Sequence, residues 1–98
     1  MFSTWSYETE LPLSLDTLRA MASRLPTDVY RCKGVVHSAE APGRRAILQV
    51  VGKRVDLTLD AEWGGRTPRT CIVAIGRHGT VDREALRDTF DRCVVTGR

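Results

Sequence analysis

Ala46-Ile47-Leu48-Gln49-Val50-Val51-Gly52-Lys53-Arg54-Val55-Asp56-Leu57-Thr58-Leu59-Asp60 holds two strands and the turn between them. Val55, Leu57 and Leu59 alternate with Arg54, Asp56, Thr58 and Asp60, the period-two pattern of a strand buried on one face. The apolar run 46–51 is its partner. Only Gly52 and Lys53 lie between them, and Gly-X is the signal of a two-residue type II′ hairpin, whose first turn position needs φ > 0. An isolated hairpin is at best marginally stable in water, so further strands must extend this pair.

The flanking chain supplies them. Residues 3–8 alternate, with Trp5 and Tyr7 on one face and Thr4, Ser6 and Glu8 on the other. Leu11-Pro12-Leu13-Ser14 then leads into a helix. Ser14 is its N-cap, and Asp16 complements the dipole in the first turn. Leu15, Leu18, Met21, Ala22 and Leu25 form the apolar stripe, and Pro26 stops the helix because its ring disfavours helical geometry in the residue before it. Residues 29–36 read as the next strand, closed by Glu40-Ala41-Pro42-Gly43. Beyond the hairpin comes the loop Trp63-Gly64-Gly65-Arg66-Thr67-Pro68, then residues 70–75, a nearly continuous apolar run suited to a central strand.

After the turn Gly76-Arg77-His78-Gly79-Thr80, Asp82 caps a last helix with the stripe Leu86, Phe90, Cys93, Val94. Arg87–Asp91 and Asp88–Arg92 have the spacing of surface ion pairs. The order is β-α-β-β-β-β-α. Two helices with one stripe each cannot cover both faces of such a sheet. The expected fold is therefore an α+β two-layer sandwich: a mainly antiparallel four- to five-stranded sheet with two helices on one face and the other face open. One domain spans residues 1–95, and the tail 96–98 frays.

Composition bounds the function. Ninety-eight residues accommodate one domain, and 42% hydrophobic with 28% charged residues is ordinary globular usage. The net charge of +3 is dispersed, with no basic block, which disfavours nucleic acid as a partner. No run is long and apolar enough for a membrane span, and the opening residues have no signal-peptide pattern, so the expected location is cytoplasmic. Cys32, Cys71 and Cys93 lack CxxC spacing and sit in apolar surroundings, the pattern of buried core thiols.

Catalytic motifs are missing from the sequence. GxxxxGK[ST], GxGxxG and HExxH do not occur. A His-based catalytic zinc site commonly takes three histidines, and this chain has two. No metal site is expected, and His37 and His78, loop or strand-end histidines, are the only weak candidates. In Tyr30-Arg31-Cys32-Lys33-Gly34, strand alternation puts Arg31 and Lys33 on one face and Tyr30, Cys32 and Gly34 on the other. The basic pair is either solvated, or protects a sheet edge, or contacts a carboxylate or other anion on the open face. Gly34 within a strand marks a bulge or a close backbone approach.

Taken in order, these residues resemble the C-terminal domain of CobW-like P-loop GTPases, over about residues 2–93. The resemblance is carried by the aromatic opening strand, Leu11-Pro12-Leu13 before a helix ending in Leu25-Pro26, and Val29-Tyr30-Arg31-Cys32-Lys33-Gly34. Leu48-Gln49-Val50-Val51-Gly52, Trp63, and Val73-Ala74-Ile75-Gly76-Arg77 followed by Asp82-Arg83-Glu84-Ala85-Leu86 complete it. It implies a non-catalytic accessory domain of a GTP-dependent metal chaperone delivering cobalt or zinc, as in cobalamin synthesis. GTP and a divalent metal would belong to the full-length protein and not to this chain. The implied partners are a P-loop GTPase domain, in the same or a separate chain, and a metal-receiving client, with Arg31 and Lys33 on the docking surface. The alternative is a stand-alone module binding a small anion or nucleic acid on the open sheet face.

Overall fold

Five strands and two helices make up the computed structural model, which describes residues 1–95: β1 (Phe2–Thr9), α1 (Leu15–Ala22), β2 (Val29–His37), β3 (Arg44–Val51), β4 (Arg54–Glu62), β5 (Thr70–Arg77) and α2 (Arg83–Asp91). The tail 96–98 lies outside the described residues. All strand pairs are antiparallel, in the order β1-β5-β2-β3-β4. The turn between β3 and β4 sets Val51 opposite Arg54, with φ of 60° at Gly52 as the hairpin requires. β5, the continuous apolar run, lies between β1 and β2. It pairs with β1 from Phe2↔Arg77 to Thr9↔Thr70, which joins strands far apart in the sequence.

Both helices lie under the same face of the sheet. That face presents Trp5, Tyr7, Cys32, Val36, Ala46, Leu48, Val50, Ile72 and Ala74, which pack with Leu18 and Ala22 of α1 and Leu86 and Phe90 of α2. Phe90 stacks on Trp5 at 5.8 Å and tilts against Tyr7 at 5.5 Å between ring centroids. Each fully buried side chain of this size contributes about 1.5–3 kcal/mol. Ser14 and Asp82 cap as expected: Ser14 Oγ accepts from the Thr17 N–H, and Asp82 from the N–H groups of Glu84 and Ala85. Glu40 adds to the first cap, its carboxylate accepting the Leu15 N–H at 3.0 Å.

The structure differs from the sequence reading at the helix ends, in the ion pairs and at one cysteine. α1 ends at Ala22, with Ser23 as its C-cap, so Leu25 joins the core from the following turn. α2 ends at Asp91, and Cys93 and Val94 lie beyond it; Val94 bridges to Leu13, and the Ser14 N–H donates to the Cys93 carbonyl. The pairs Arg87–Asp91 and Asp88–Arg92 are not among the ion pairs closed within 4.0 Å; Asp91 instead accepts the Tyr7 hydroxyl at 2.7 Å. Cys71 is exposed, because an outward position of β5 carries it onto the open face, while Cys32 and Cys93 are buried.

Candidate interaction surface

Arg31 and Lys33 stand near the middle of the open face, on β2, with β5 on one side and β3 on the other. A basic pair on a central strand does not protect an edge, so that reading is excluded. In the ladder, Arg31 sits between Ile75 and Val51, and Lys33 between Val73 and Gln49. The next outward position, Val35, sits between Cys71 and Ile47. Val51 is 56% exposed and Val73 37%, so the two cations rise from an apolar surround left open to solvent.

Neither cation has an acid within 4.0 Å. The ion pairs among the described residues are Arg45–Asp60, Arg54–Asp56, Arg69–Glu8 and Arg69–Glu10, all away from the centre of this face. Arg69 holds the Glu8 carboxyl below the usual carboxylate range through hydrogen bond and charge, and Arg45 does the same for Asp60. The open face thus has a self-neutralised periphery and an uncompensated basic centre. Apolar area flanking two unpaired cations suits a protein surface carrying carboxylates among apolar side chains.

A bulge moves one residue across the sheet. The β2–β5 register shifts between Val29 and Arg31, so Tyr30 leaves the face of Cys32 and becomes 40% exposed, packing edge-on against Phe2 at 5.8 Å. Simple alternation places Tyr30 with Cys32, and the bulge corrects that. The Phe2–Tyr30 pair adds aromatic area beside Arg31. No local pattern reveals it, because it depends on β1 lying two strands from β2. Gly34 fulfils its expected role: a Cβ there would sit 2.3 Å from the Cys71 carbonyl oxygen.

The histidines are far apart in the fold. His37 ends β2, its Nδ1–H donating to the Glu10 carbonyl at 2.9 Å, with its ring edge-on to Trp63. His78 follows β5 at the opposite end of the sheet, where its Nδ1 and Ser3 Oγ lie 2.7 Å apart. The two cannot share an ion, and among the described residues no three His, Cys, Asp or Glu side chains group as metal ligands. The cleft beside His78, about 240 Å³ and lined by Ser3, Trp5, Val29, Val81 and Arg83, gives the Ser3–His78 pair no acidic third member. The sequence contains no GxxxxGK[ST] phosphate-binding motif. No helix among the described residues is long and apolar enough to cross a membrane.

The described residues form a two-layer sandwich with two helices on one face of the sheet and the other face bare. Residues 2–94 match the model of the cobalamin synthesis protein cobW C-terminal domain, and the chain belongs to that family. Two solved structures share the fold with a TM-score of 0.80: the Zn(II)-bound YjiA GTPase from E. coli, at 21% identity, and a Zn(II)-bound triple mutant of the YjiA GTPase, at 20%. Each alignment covers 96% of this chain and 30% of the YjiA chain, so this chain spans less than a third of those proteins. No curated protein matched the chain.

Proposed function

We propose that this chain is the non-catalytic accessory domain of a CobW-type, GTP-dependent metal chaperone acting in the cytoplasm. Its open sheet face is the surface that receives a P-loop GTPase domain, in the same or a separate polypeptide. Arg31 and Lys33 engage carboxylates of that domain, while Val51, Val73 and the Phe2–Tyr30 pair supply apolar contact. GTP turnover belongs to the partner domain, and the metal, cobalt or zinc, is cargo passed to a client protein. The observation that carries this reading is the unpaired basic centre set in an exposed apolar face, in a chain of the cobW C-terminal family.

Titration of the chain into a CobW-family P-loop GTPase domain, followed by calorimetry, tests it. The double variant Arg31→Glu/Lys33→Glu is expected to weaken binding at least about 100-fold, since truncating a buried charge pair alone costs about 2–5 kcal/mol. Unchanged affinity removes this surface from the proposal. Binding of single-stranded nucleic acid or phosphate that falls steeply with salt, with none to the GTPase domain, favours the stand-alone anion module instead. Zinc retention by His37→Ala/His78→Ala is expected to equal that of the parent chain.

A further inference from the structure

We propose that the free edge of β4 pairs antiparallel with the same edge of a second copy of this chain, about a two-fold axis at Leu57. β4 ends the sheet, is nine residues long and contains no proline. Among the described residues, no backbone hydrogen bond outside the β3–β4 ladder reaches residues 54–59. A long strand with an unpaired row of N–H and C=O groups is a template for another strand. At the opposite edge, the Arg83 side chain reaches the Thr4 carbonyl of β1 at 3.5 Å. On the core side of β4, Leu59 remains 46% exposed and Val55 and Leu57 are only half-buried, so α1 leaves this margin incompletely covered.

The sequence of β4 is complementary to itself in one register. In an antiparallel pair, opposed residues share a face, so the axis must fall on a residue for the two sheets to continue each other. Centred on Leu57, Arg54 opposes the partner's Asp60, Val55 opposes the partner's Leu59, and Asp56 opposes the partner's Thr58. Leu57 meets its own copy. All apolar pairs then lie on the core side and all polar pairs on the other, and no like charges face each other. Centring on Thr58 sets Asp56 against the partner's Asp60, and centring on Asp56 sets two Asp56 carboxylates together. Like charges directly opposed are destabilising, so the Leu57 register is selected. Arg54 already leans along this row, 3.7 Å from Asp56, and Asp60 has its second carboxylate oxygen free of Arg45. The Gly52 turn closes the segment at one end, and the register shift between Arg44 and Ala46 closes it at the other. Seven residues per copy make a small interface, hence a reversible dimer.

Sedimentation equilibrium of the 98-residue chain from low micromolar to millimolar concentration tests this. The mass is expected to rise with concentration from 10.9 kDa towards twice that value. Thr58 is exposed, so its variants keep the monomer fold, which circular dichroism verifies. Thr58→Lys places an ammonium opposite the partner's Asp56 on both sides of the axis and is expected to tighten the dimer about fivefold. Thr58→Asp creates two acid–acid oppositions and is expected to weaken it by a similar factor. A single-chain mass at every concentration overturns the proposal. So does weakening by Thr58→Lys, which would signal a different register or a different surface.

Discussion

Tyr7 is 3% exposed, yet its hydroxyl donates to the Asp91 carboxylate at 2.7 Å, joining β1 to the last turn of α2. Burial raises the phenol well above its ordinary value, and the hydrogen bond and negative charge of Asp91 raise it further. The unfolded phenol ionises near pH 10, below the folded one. The bond's contribution is therefore complete below about pH 10 and is lost as pH rises beyond it. Tyr7→Phe is expected to cost about 1.5–3 kcal/mol at pH 7 by urea titration, the value of a hydrogen bond to a charged acceptor, and to flatten the alkaline loss. A second residue-level consequence concerns the thiols. Burial pushes Cys32 up to about 12 and Cys93 up to about 11, whereas Cys71 is exposed. An aromatic disulfide reagent near pH 8 is expected to titrate one thiol rapidly in the native protein and three after denaturation. The reacting thiol is expected to vanish in Cys71→Ser.

Glycine separates two kinds of constraint among the elements. At Gly52 a side chain has open space, but φ is 60°, so Gly52→Ala is expected to cost about 1–2 kcal/mol of backbone strain. At Gly34 the backbone is ordinary and the space is missing, with the Cys71 carbonyl 2.3 Å and the Ile72 Cα 2.7 Å from an added Cβ. Neither is the end of a flexible side chain, so β2 and β5 must separate. Gly34→Ala is expected to destabilise by about 3 kcal/mol, at the upper end of overpacking costs, and its thermal midpoint should fall below that of Gly52→Ala. The same contrast explains what was legible in the sequence. The β3–β4 hairpin and both N-caps are properties of adjacent residues and were readable, whereas Gly34 was readable only as a bulge or a close approach, its neighbours Cys71 and Ile72 lying on another strand. The β1–β5 pairing joins residues about seventy positions apart, and no alternation encodes it. That pairing set Phe2 beside Tyr30, which is why the contact was not readable, while the near-continuous apolar run of β5 hid which of its residues, Cys71 among them, faces outward. Arg31 and Lys33 were named as a pair from strand parity alone. Their place at the centre of the bare face needed the strand order.

Titration across the whole molecule follows from where its ion pairs lie. Arg69, in the stretch between β4 and β5, pairs with Glu8 of β1 and with Glu10 just beyond it, and Arg45 pairs with Asp60 across the β3–β4 ladder. These contacts hold the Glu8 and Asp60 carboxyls below their unfolded values, the hydrogen-bonded arginine being the largest cause in each case. A depressed carboxyl contributes stability that is present above its unfolded value, about 4, and lost as pH falls through its folded value. With Tyr7 setting the upper limit, the urea midpoint is expected to be level between about pH 5 and pH 9 and to fall on both sides. The two falls have different characters. Glu8, Asp60 and their arginines are solvent-accessible, so in 1 M salt, where the Debye length is about 3 Å, the acid fall should become shallower. The alkaline fall originates in a buried phenol and should persist in salt. Arg69→Gln should shrink the acid fall and leave the alkaline one unchanged, while Tyr7→Phe should do the reverse. If both variants altered the same limb of the profile, the division of this fold into a screened periphery and a desolvated aromatic core would be wrong.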